Sequence, residues 1–533
     1  MVRNLYRCYL YAVCITLLII ATTTTAVSLA LLLSNAGLRG AFDSALYNRQ
    51  VVQAEVAFVT AWLVALLLGG LHYWLIRRDM ASDPAAAGGA ARSYFLNITQ
   101  LFAVLIAAGF AASGIVAFGQ RYGAPARGVS VALAFGGLFA LLQWERMRIR
   151  VQTNAARAFQ RLHLYGAQLV LVFIATPLWL QATQTSALAA MSRRAIFDPC
   201  SPYYGYDSGT VACTPASAYP LRLVAGQWAA ALFIAACWAG YTVYSRNDRH
   251  SRLRQVTHLL ALGYALGFVL WSAQRIFSAL LLQLAGQPVL TRSFPITAAI
   301  TLGALVFGVV VLLAYSWLYA REAPGLPSGV PAAGLIQMAL IAVISSYPFW
   351  LGGQSLLSGI IERVVPAGAS PDTFAFAQAG GQVLAGLPFV VFTLLLGTRT
   401  RQAGVTWPHR VFVLIQLAAS VIVSAVGMVI GLQALGSTLL GAPLDGWQHT
   451  ARTGLVTLVV GGVMVAIFLT IAARNHYLGA RVEPKPDAPL PNPAVGGAPV
   501  APETLEGILD ALLAGRLSRE EAAAHIRAQE ALH

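Results

Sequence analysis

Twelve long apolar stretches, separated by short breaks that contain arginine, account for most of this chain. The first runs from Tyr9 to Ser34 without one charged side chain. About 20 residues at ~1.5 Å each cross the ~30 Å hydrocarbon layer as an α-helix, so such a stretch predicts a transmembrane span. We therefore expect an all-α, polytopic membrane bundle with spans at 9–34, 55–76, 95–118, 129–145, 163–187, 222–245, 256–285, 296–319, 333–359, 374–397, 411–439 and 453–473.

The composition leaves little room for a soluble fold. Hydrophobic residues make up 58% of the chain and charged residues 10%, against about 25% charged in soluble domains. The net charge of +15 does not indicate nucleic acid, because most arginines flank apolar stretches, where they report membrane topology. The first stretch is longer than a signal-peptide core and is followed by further spans, so it is predicted to remain as a helix.

The arginines are divided unequally between the two sides of the predicted membrane. Both termini and the even-numbered breaks hold 20 arginines up to Arg481, whereas the odd-numbered breaks hold 10. Because basic loops stay in the cytoplasm, this bias predicts that both termini lie inside. An uneven scatter of a common residue is the alternative interpretation.

The spans also form similar pairs. An arginine stands shortly before five of the six odd-numbered spans, at an average spacing of about 80 residues. We predict six tandem two-helix repeats of one orientation, near 1–80, 90–150, 157–249, 252–321, 333–398 and 408–475. The alternative is that any protein with an even number of spans carries arginine around its hairpins. The arginines concerned are Arg7, Arg92, Arg161, Arg254 and Arg410.

The repeat openings read RCYLY at Arg7, RLHLY at Arg161 and RQVTH at Arg254. With them the chain resembles an uncharacterised bacterial multi-pass membrane family that is built on a repeated two-helix domain of unknown function. The resemblance extends over residues 1 to about 480, and it implies a repeated membrane fold but no activity. The fifth unit departs from the pattern, since residues 334–337 occupy its opening without an arginine.

One external loop, roughly residues 188–221, is long. It contains Cys200 and Cys213 in a segment rich in Pro, Gly and Tyr. The outer compartment tolerates disulfides, so a Cys200–Cys213 bridge is the favoured interpretation, with two free thiols as the alternative.

The composition changes after the membrane domain of residues 1–481. Residues 482–502 are a Pro-rich linker, and residues 503–533 are predicted to form a helical hairpin. Ser518 and Glu521 have the spacing of a capping box that opens its second helix. This cytosolic hairpin could bind a partner protein or support homo-oligomers, although a frayed, solvated tail is equally compatible with the sequence.

The common catalytic motifs are absent from the sequence, so no enzymatic activity, cofactor or metal site is predicted. No acidic residue lies in the middle of a predicted span, which argues against a carboxylate proton relay. His72, His163 and His258 fall near predicted cytoplasmic ends and are interpreted as interfacial residues rather than haem ligands.

Arg275 is the one charged residue within an apolar stretch, about ten residues before its end. A charge at such a position is a functional candidate by default, with snorkelling toward the interface as the alternative. Pro348 predicts a broken ninth span, and broken helices can line a cavity. A possible substrate pocket is therefore predicted, against ordinary kinks and packing, from Arg275, Ser346, Gln354, Ser355 and Gln382.

Two functions are compatible with these features. The first is a non-enzymatic membrane scaffold or sensor subunit whose tail recruits a cytosolic partner. The alternative is a secondary transporter or channel for a neutral or anionic solute, which uses Arg275 and the region of spans 9 and 10. A scaffold should spend its polar side chains on helix–helix contacts, whereas a transporter should keep them around a cavity near the membrane midplane.

Overall fold

A computed structural model gives the architecture of the chain. It describes residues 2–38, 47–120, 124–148, 153–193, 221–248, 251–287, 294–322, 329–364, 373–440 and 447–477. Within these ranges the regular structure is helical, without a strand. Twelve helices are long and apolar enough to cross a membrane, which confirms the all-α class and the number of expected spans.

The helices are numbered here by span. α2 is made of three consecutive segments, the middle one a π-helical turn, and α10 is interrupted at Leu387. The bounds are α1 Val2–Asn35, α2 Tyr47–Val64, Ala65–Gly69 and Gly70–Ser82, α3 Ala90–Gly119, α4 Pro125–Met147, α5 Asn154–Arg193, α6 Leu221–Tyr244, α7 Arg252–Leu284, α8 Phe294–Glu322, α9 Gly329–Val364, α10 Thr373–Gly386 and Pro388–Ala403, α11 Trp407–Leu439 and α12 Trp447–Arg474.

Most helices extend past the apolar stretches that predict them. α5 begins at Asn154 rather than near residue 163, and α7 begins at Arg252 rather than near residue 256. Arginine is a good helix former, so the basic flanks continue the helix instead of ending it. As a result, Arg161 and Arg254 lie within the first turns of their helices and are held in fixed directions.

The predicted break in the ninth span is wrong, because α9 runs without interruption through Pro348. The interruption lies in α10 instead, where Leu387 precedes Pro388, which has no backbone N–H to donate. In α9, Gly352 serves close packing: a Cβ there would stand 2.7 Å from the carbonyl oxygen of Ala379 on α10. The glycine therefore marks a helix contact rather than a break.

The helices pack in a regular order. Each even-numbered helix from α4 onward packs both on the odd-numbered helix of its own hairpin and on the odd-numbered helix of the preceding hairpin. α6, for example, contacts α5 and α3, and α10 contacts α9 and α7. Successive odd-numbered helices also contact one another from α1 to α11. The hairpins therefore stand in a row, with each even-numbered helix lying over the seam between two odd-numbered ones.

Glycine brings several of these helices into backbone contact. A Cβ on Gly128 of α4 would lie 2.6 Å from the backbone nitrogen of Gly114 on α3. A Cβ on Gly427 of α11 would lie 2.9 Å from the carbonyl oxygen of Gly454 on α12. Small residues at such crossings let helices approach in lipid, where van der Waals packing drives association.

The chain divides into two compact units, residues 1–474 and 475–533. Only residues 475–477 of the second unit belong to the described part of the chain. The linker 482–502, the tail hairpin 503–533 and the candidate disulfide between Cys200 and Cys213 lie outside the described residues.

The contact at Gly427 yields a stability prediction. Gly427→Ala should destabilise the protein by ~1–3 kcal/mol, because the new methyl group would meet the backbone of α12 rather than a side chain that can move. Thermal unfolding of the detergent-purified protein should show a lower Tm. Gly436→Ala is the control, since its Cβ on the same helix meets no atom within 4 Å. Equal Tm values for both variants would contradict the close α11–α12 contact.

Candidate functional site

Arg275 does not lie among the other residues of the predicted pocket. Its side chain is exposed on α7, and its guanidinium stands 4.9 Å from the ring centroid of Trp271, one turn earlier. Such a cation–π contact offsets part of the cost of holding the charge at the surface of the bundle. This placement agrees better with a side chain turned outward than with one that faces a solute inside the bundle.

Two of the predicted pocket residues are used in helix–helix contacts. Ser346 of α9 is buried, and its hydroxyl oxygen accepts a hydrogen bond of 3.0 Å from the amide nitrogen of Gln416 on α11. The amide nitrogen of Gln354, two turns further along α9, donates to the hydroxyl of Thr457 on α12 at 2.5 Å. These bonds attach α9 to both helices of the last hairpin.

The remaining two pocket residues are separate again. Ser355 is exposed on α9, and Gln382 is half-buried on α10, where it packs against the backbone of Gly352. The five residues of the predicted pocket therefore lie in several separate contacts and do not come together as one site.

A different set of charged residues comes together in a repeated manner. In each of the first four hairpins, the leading arginine of the odd-numbered helix pairs with a carboxylate at or just beyond the end of the even-numbered helix. The pairs are Arg7 Nε–Asp79 Oδ2 at 2.6 Å, Arg92 Nη2–Glu145 Oε1 at 3.1 Å, Arg161 Nη2–Asp248 Oδ1 at 2.7 Å and Arg254 Nη2–Glu322 Oε1 at 2.6 Å.

The fourth of these pairs is the most buried. The side chains of Arg254 and Glu322 are 3% and 5% exposed, and the guanidinium binds the carboxylate through both Nε and Nη2. Its Nη1 also donates to the carbonyl and hydroxyl oxygens of Ser245. Desolvating two charges is costly, so a pair this buried persists only with good geometry and additional hydrogen bonds.

Further polar side chains connect the helices from α3 to α6. Arg146 of α4 is buried and donates to the hydroxyl of Tyr244 at 2.8 Å and to Asn97 Oδ1 at 3.4 Å. The ring of His163 on α5 lies between the carbonyl oxygen of Asn97, 3.0 Å from Nδ1, and the hydroxyl of Tyr241, 3.2 Å from Nε2. Because a carbonyl only accepts, Nδ1 carries the proton and Nε2 accepts from the tyrosine.

The same layer continues to the fourth hairpin. Gln168 of α5 donates to the hydroxyl of Ser245 at 2.8 Å, and that residue accepts from Arg254. His258 of α7 lies 3.7 Å from Glu322 and contacts the ring of Tyr315. A buried polar layer therefore crosses the bundle from α3 to α8 at the end where the odd-numbered helices begin.

The last two hairpins depart from this arrangement. α9 carries no leading arginine, as the sequence predicts, and the exposed Arg410 of α11 forms no ion pair with any residue that the structure describes. A pair between Arg452 and Glu362, 3.4 Å apart, instead joins the start of α12 to the end of α9. In the sequence, the spacing of the leading arginines predicts the repeat. It does not predict the carboxylates with which these arginines pair.

The structure adds to the interpretation of two histidines. His163 and His258 are 2% and 1% exposed and belong to the buried polar layer rather than to the surface of the bundle. Across the described ranges, no group of three or more His, Cys, Asp or Glu side chains is placed to hold a metal ion.

Comparisons with known proteins give no relative: no family model, no curated protein and no solved structure matches this chain.

The Arg254–Glu322 pair yields a mutational prediction. Arg254→Met should destabilise the protein by ~3–5 kcal/mol, because it leaves the carboxylate of Glu322 buried without its partner. The double variant Arg254→Met with Glu322→Met should regain most of that loss, since two apolar side chains can pack in place of the pair. The measurement is the free energy of unfolding in detergent.

Arg410→Met is the control, because this arginine is exposed near the start of its own helix and should change stability by well under ~1 kcal/mol. If the double variant is no more stable than Arg254→Met alone, Arg254 and Glu322 do not stabilise the protein as a pair.

Proposed function

We propose that this chain is a non-enzymatic scaffold or sensor subunit of the bacterial plasma membrane, with a tail that recruits a cytosolic protein. The observation that carries the proposal is the use of polar side chains. Gln354, Ser346 and the four repeated arginines all bond to neighbouring helices. Side chains spent in this way hold a bundle together and are not available to a passing solute.

The proposal includes six tandem two-helix units that share one orientation. Two independent regularities support it. From α4 onward, each even-numbered helix packs on the odd-numbered helix of the preceding hairpin, and an arginine–carboxylate pair recurs in hairpins one to four. Each unit holds two spans, so consecutive units enter the membrane from the same side. This arrangement is the parallel kind of internal repeat, and it is compatible with membership of the two-helix-repeat family that the sequence resembles.

The transporter alternative has less support. It requires Arg275 and the polar residues of α9 and α10 around one cavity, whereas Arg275 is exposed against Trp271 and Ser346 is bonded to Gln416. We therefore favour the scaffold.

The tail supplies the proposed contact with a partner. Leu505, Ile508, Leu509 and Leu512 recur at helical spacing in its first predicted helix and would form one apolar face. A hairpin of this size buries too little apolar area to be stable alone, so it would be ordered by a partner.

The tail hypothesis is tested by co-purification from the native membrane. Removing residues 483–533 should leave membrane insertion intact but remove a protein that co-purifies with the full chain. Leu509→Glu should have the same effect, because it places a charge on the apolar face, whereas Glu506→Gln on the polar face should retain the partner. If the full chain, the chain without residues 483–533 and the Leu509→Glu chain all retain the same proteins, the recruitment hypothesis is wrong.

The orientation is tested through the only lysine of the chain, Lys485, which follows the last span. A membrane-impermeant amine reagent should leave Lys485 unlabelled in intact spheroplasts and label it in inverted vesicles, because both termini are proposed to face the cytoplasm. A Lys485→Arg chain, which still carries its N-terminal amine, gives the background level of labelling. Labelling of Lys485 in intact spheroplasts would contradict the proposed orientation.

A further inference from the structure

A groove with a cavity volume of about 400 Å³ lies between α2 and α4 and is floored by α1 and α3. Its inner part is lined by apolar side chains, among them Ile15, Leu18 and Leu142. Leu66 and Leu141 on its two rims are exposed, so the groove opens toward the outside of the bundle. In a membrane-spanning bundle that side faces lipid.

α2 has fewer helix neighbours than the later even-numbered helices. Each even-numbered helix from α4 onward also packs on the odd-numbered helix of the preceding hairpin, whereas α2 packs mainly on α1. Its π-helical turn, Ala65–Gly69, lines the groove together with Gly70. π-helical turns inside α-helices occur frequently at functional sites.

The charged residues that line the groove lie at one end only, together with Tyr73 and Trp144. Arg148, directly after the last residue of α4, lies 3.6 Å from Glu145 and 4.5 Å from the ring centroid of Trp144. The hydroxyl of Tyr73 on α2 donates to Glu145 at 3.2 Å, and Arg92 lies at the same end. Arg92 is buried and donates to Glu145 and to the carbonyl oxygen of Ala87, whereas the side chain of Arg148 is 41% exposed and is accessible to a ligand.

The dimensions of the groove fit half of a bilayer. Its wall on α2 extends from Trp62 to Ile76, a helical rise of ~21 Å, against ~15 Å for half of the hydrocarbon layer. The apolar part therefore runs from the membrane interface toward the midplane, and the arginine lies at the interface. An apolar channel with a cationic mouth at this depth is complementary to a lipid that has an anionic headgroup.

We propose that this groove binds one anionic phospholipid. One acyl chain lies along the apolar wall past Gly70, and the phosphate accepts hydrogen bonds from the guanidinium of Arg148. Arg92 and Glu145 hold the mouth in shape through their own ion pair. The site is independent of the scaffold proposal, because it needs neither the tail nor a protein partner.

Steric plugging of the groove tests the acyl-chain part. A Cβ at Gly70 meets no atom within 4 Å, and the residue has ordinary α-helical backbone angles, so Gly70→Leu should fold while filling the groove. The protein, purified in detergent with phosphatidylglycerol and phosphatidylcholine in equal amounts, is measured by native mass spectrometry. Wild type should retain one phosphatidylglycerol, and Gly70→Leu should retain at least fivefold less.

Gly240→Leu on the exposed side of α6 is the matched control, since its Cβ also meets no atom within 4 Å, and it should bind lipid as wild type does. The Tm of each variant is measured in parallel, so that loss of lipid is scored only in folded protein. Equal retention by Gly70→Leu and Gly240→Leu would overturn the proposal, as would a second copy of the chain retained in place of lipid.

Charge removal tests the headgroup part. Arg148→Gln should lower the preference for phosphatidylglycerol over phosphatidylcholine by about tenfold, because the cation that attracts the net negative headgroup of phosphatidylglycerol and repels the choline group of phosphatidylcholine is removed. It should leave the apolar groove intact, so that total lipid retained at high lipid concentration returns to the wild-type level. An unchanged preference in Arg148→Gln would overturn the assignment of the headgroup to this end.

Discussion

Helices in hydrocarbon gain little from hiding apolar side chains, because lipid tails are as apolar as leucine. Association then depends on close backbone approach and on polar groups that find partners inside the protein. This bundle uses both. Gly427 and Gly454 allow α11 and α12 to touch backbone to backbone, and Arg254 with Glu322 fixes the ends of α7 and α8. The order of the helices follows from where these two kinds of contact occur along the chain.

The same constraint explains why the two ends of the row differ from its middle. An even-numbered helix in the middle lies over a seam between two odd-numbered helices, whereas α2 has only α1 beneath it. A groove lies on the side of α2 that faces α4, next to the π-helical turn Ala65–Gly69. At the other end, the last hairpin is attached through Gln354 and through the Arg452–Glu362 pair instead of a leading arginine.

Hydropathy and arginine spacing predict much of this fold, because both are local properties of the sequence. The twelve helices follow from apolar length, and the positions of Arg7, Arg92, Arg161 and Arg254 follow from their place before each span. The carboxylate partners could not be predicted in the same way, since each lies 53 to 87 residues away on another helix. A carboxylate at or just beyond the end of each of the first four even-numbered helices is a signal that could have indicated them.

The candidate site was harder to predict. When a helix is apolar on all sides, its sequence does not show which face points into the bundle. Arg275 could face the bundle or the lipid by composition alone, and its contact with Trp271 one turn earlier shows the outward direction. Pro348 and Gly352 predict a broken helix by their local preferences, yet packing on α10 holds α9 continuous. Tertiary contacts decide both cases.

Contact between hairpins is the central claim, and cross-linking in the native membrane measures it directly. Gly381 of α10 lies against Ser278 of α7, in the preceding hairpin. In a chain whose native cysteines are replaced by alanine, Ser278→Cys with Gly381→Cys should form a disulfide on mild oxidation. Phe349→Cys with Gly386→Cys, a pair within one hairpin, is the reference. Cross-linking of the reference pair alone would contradict the row of hairpins; cross-linking of both pairs is the result that this account predicts.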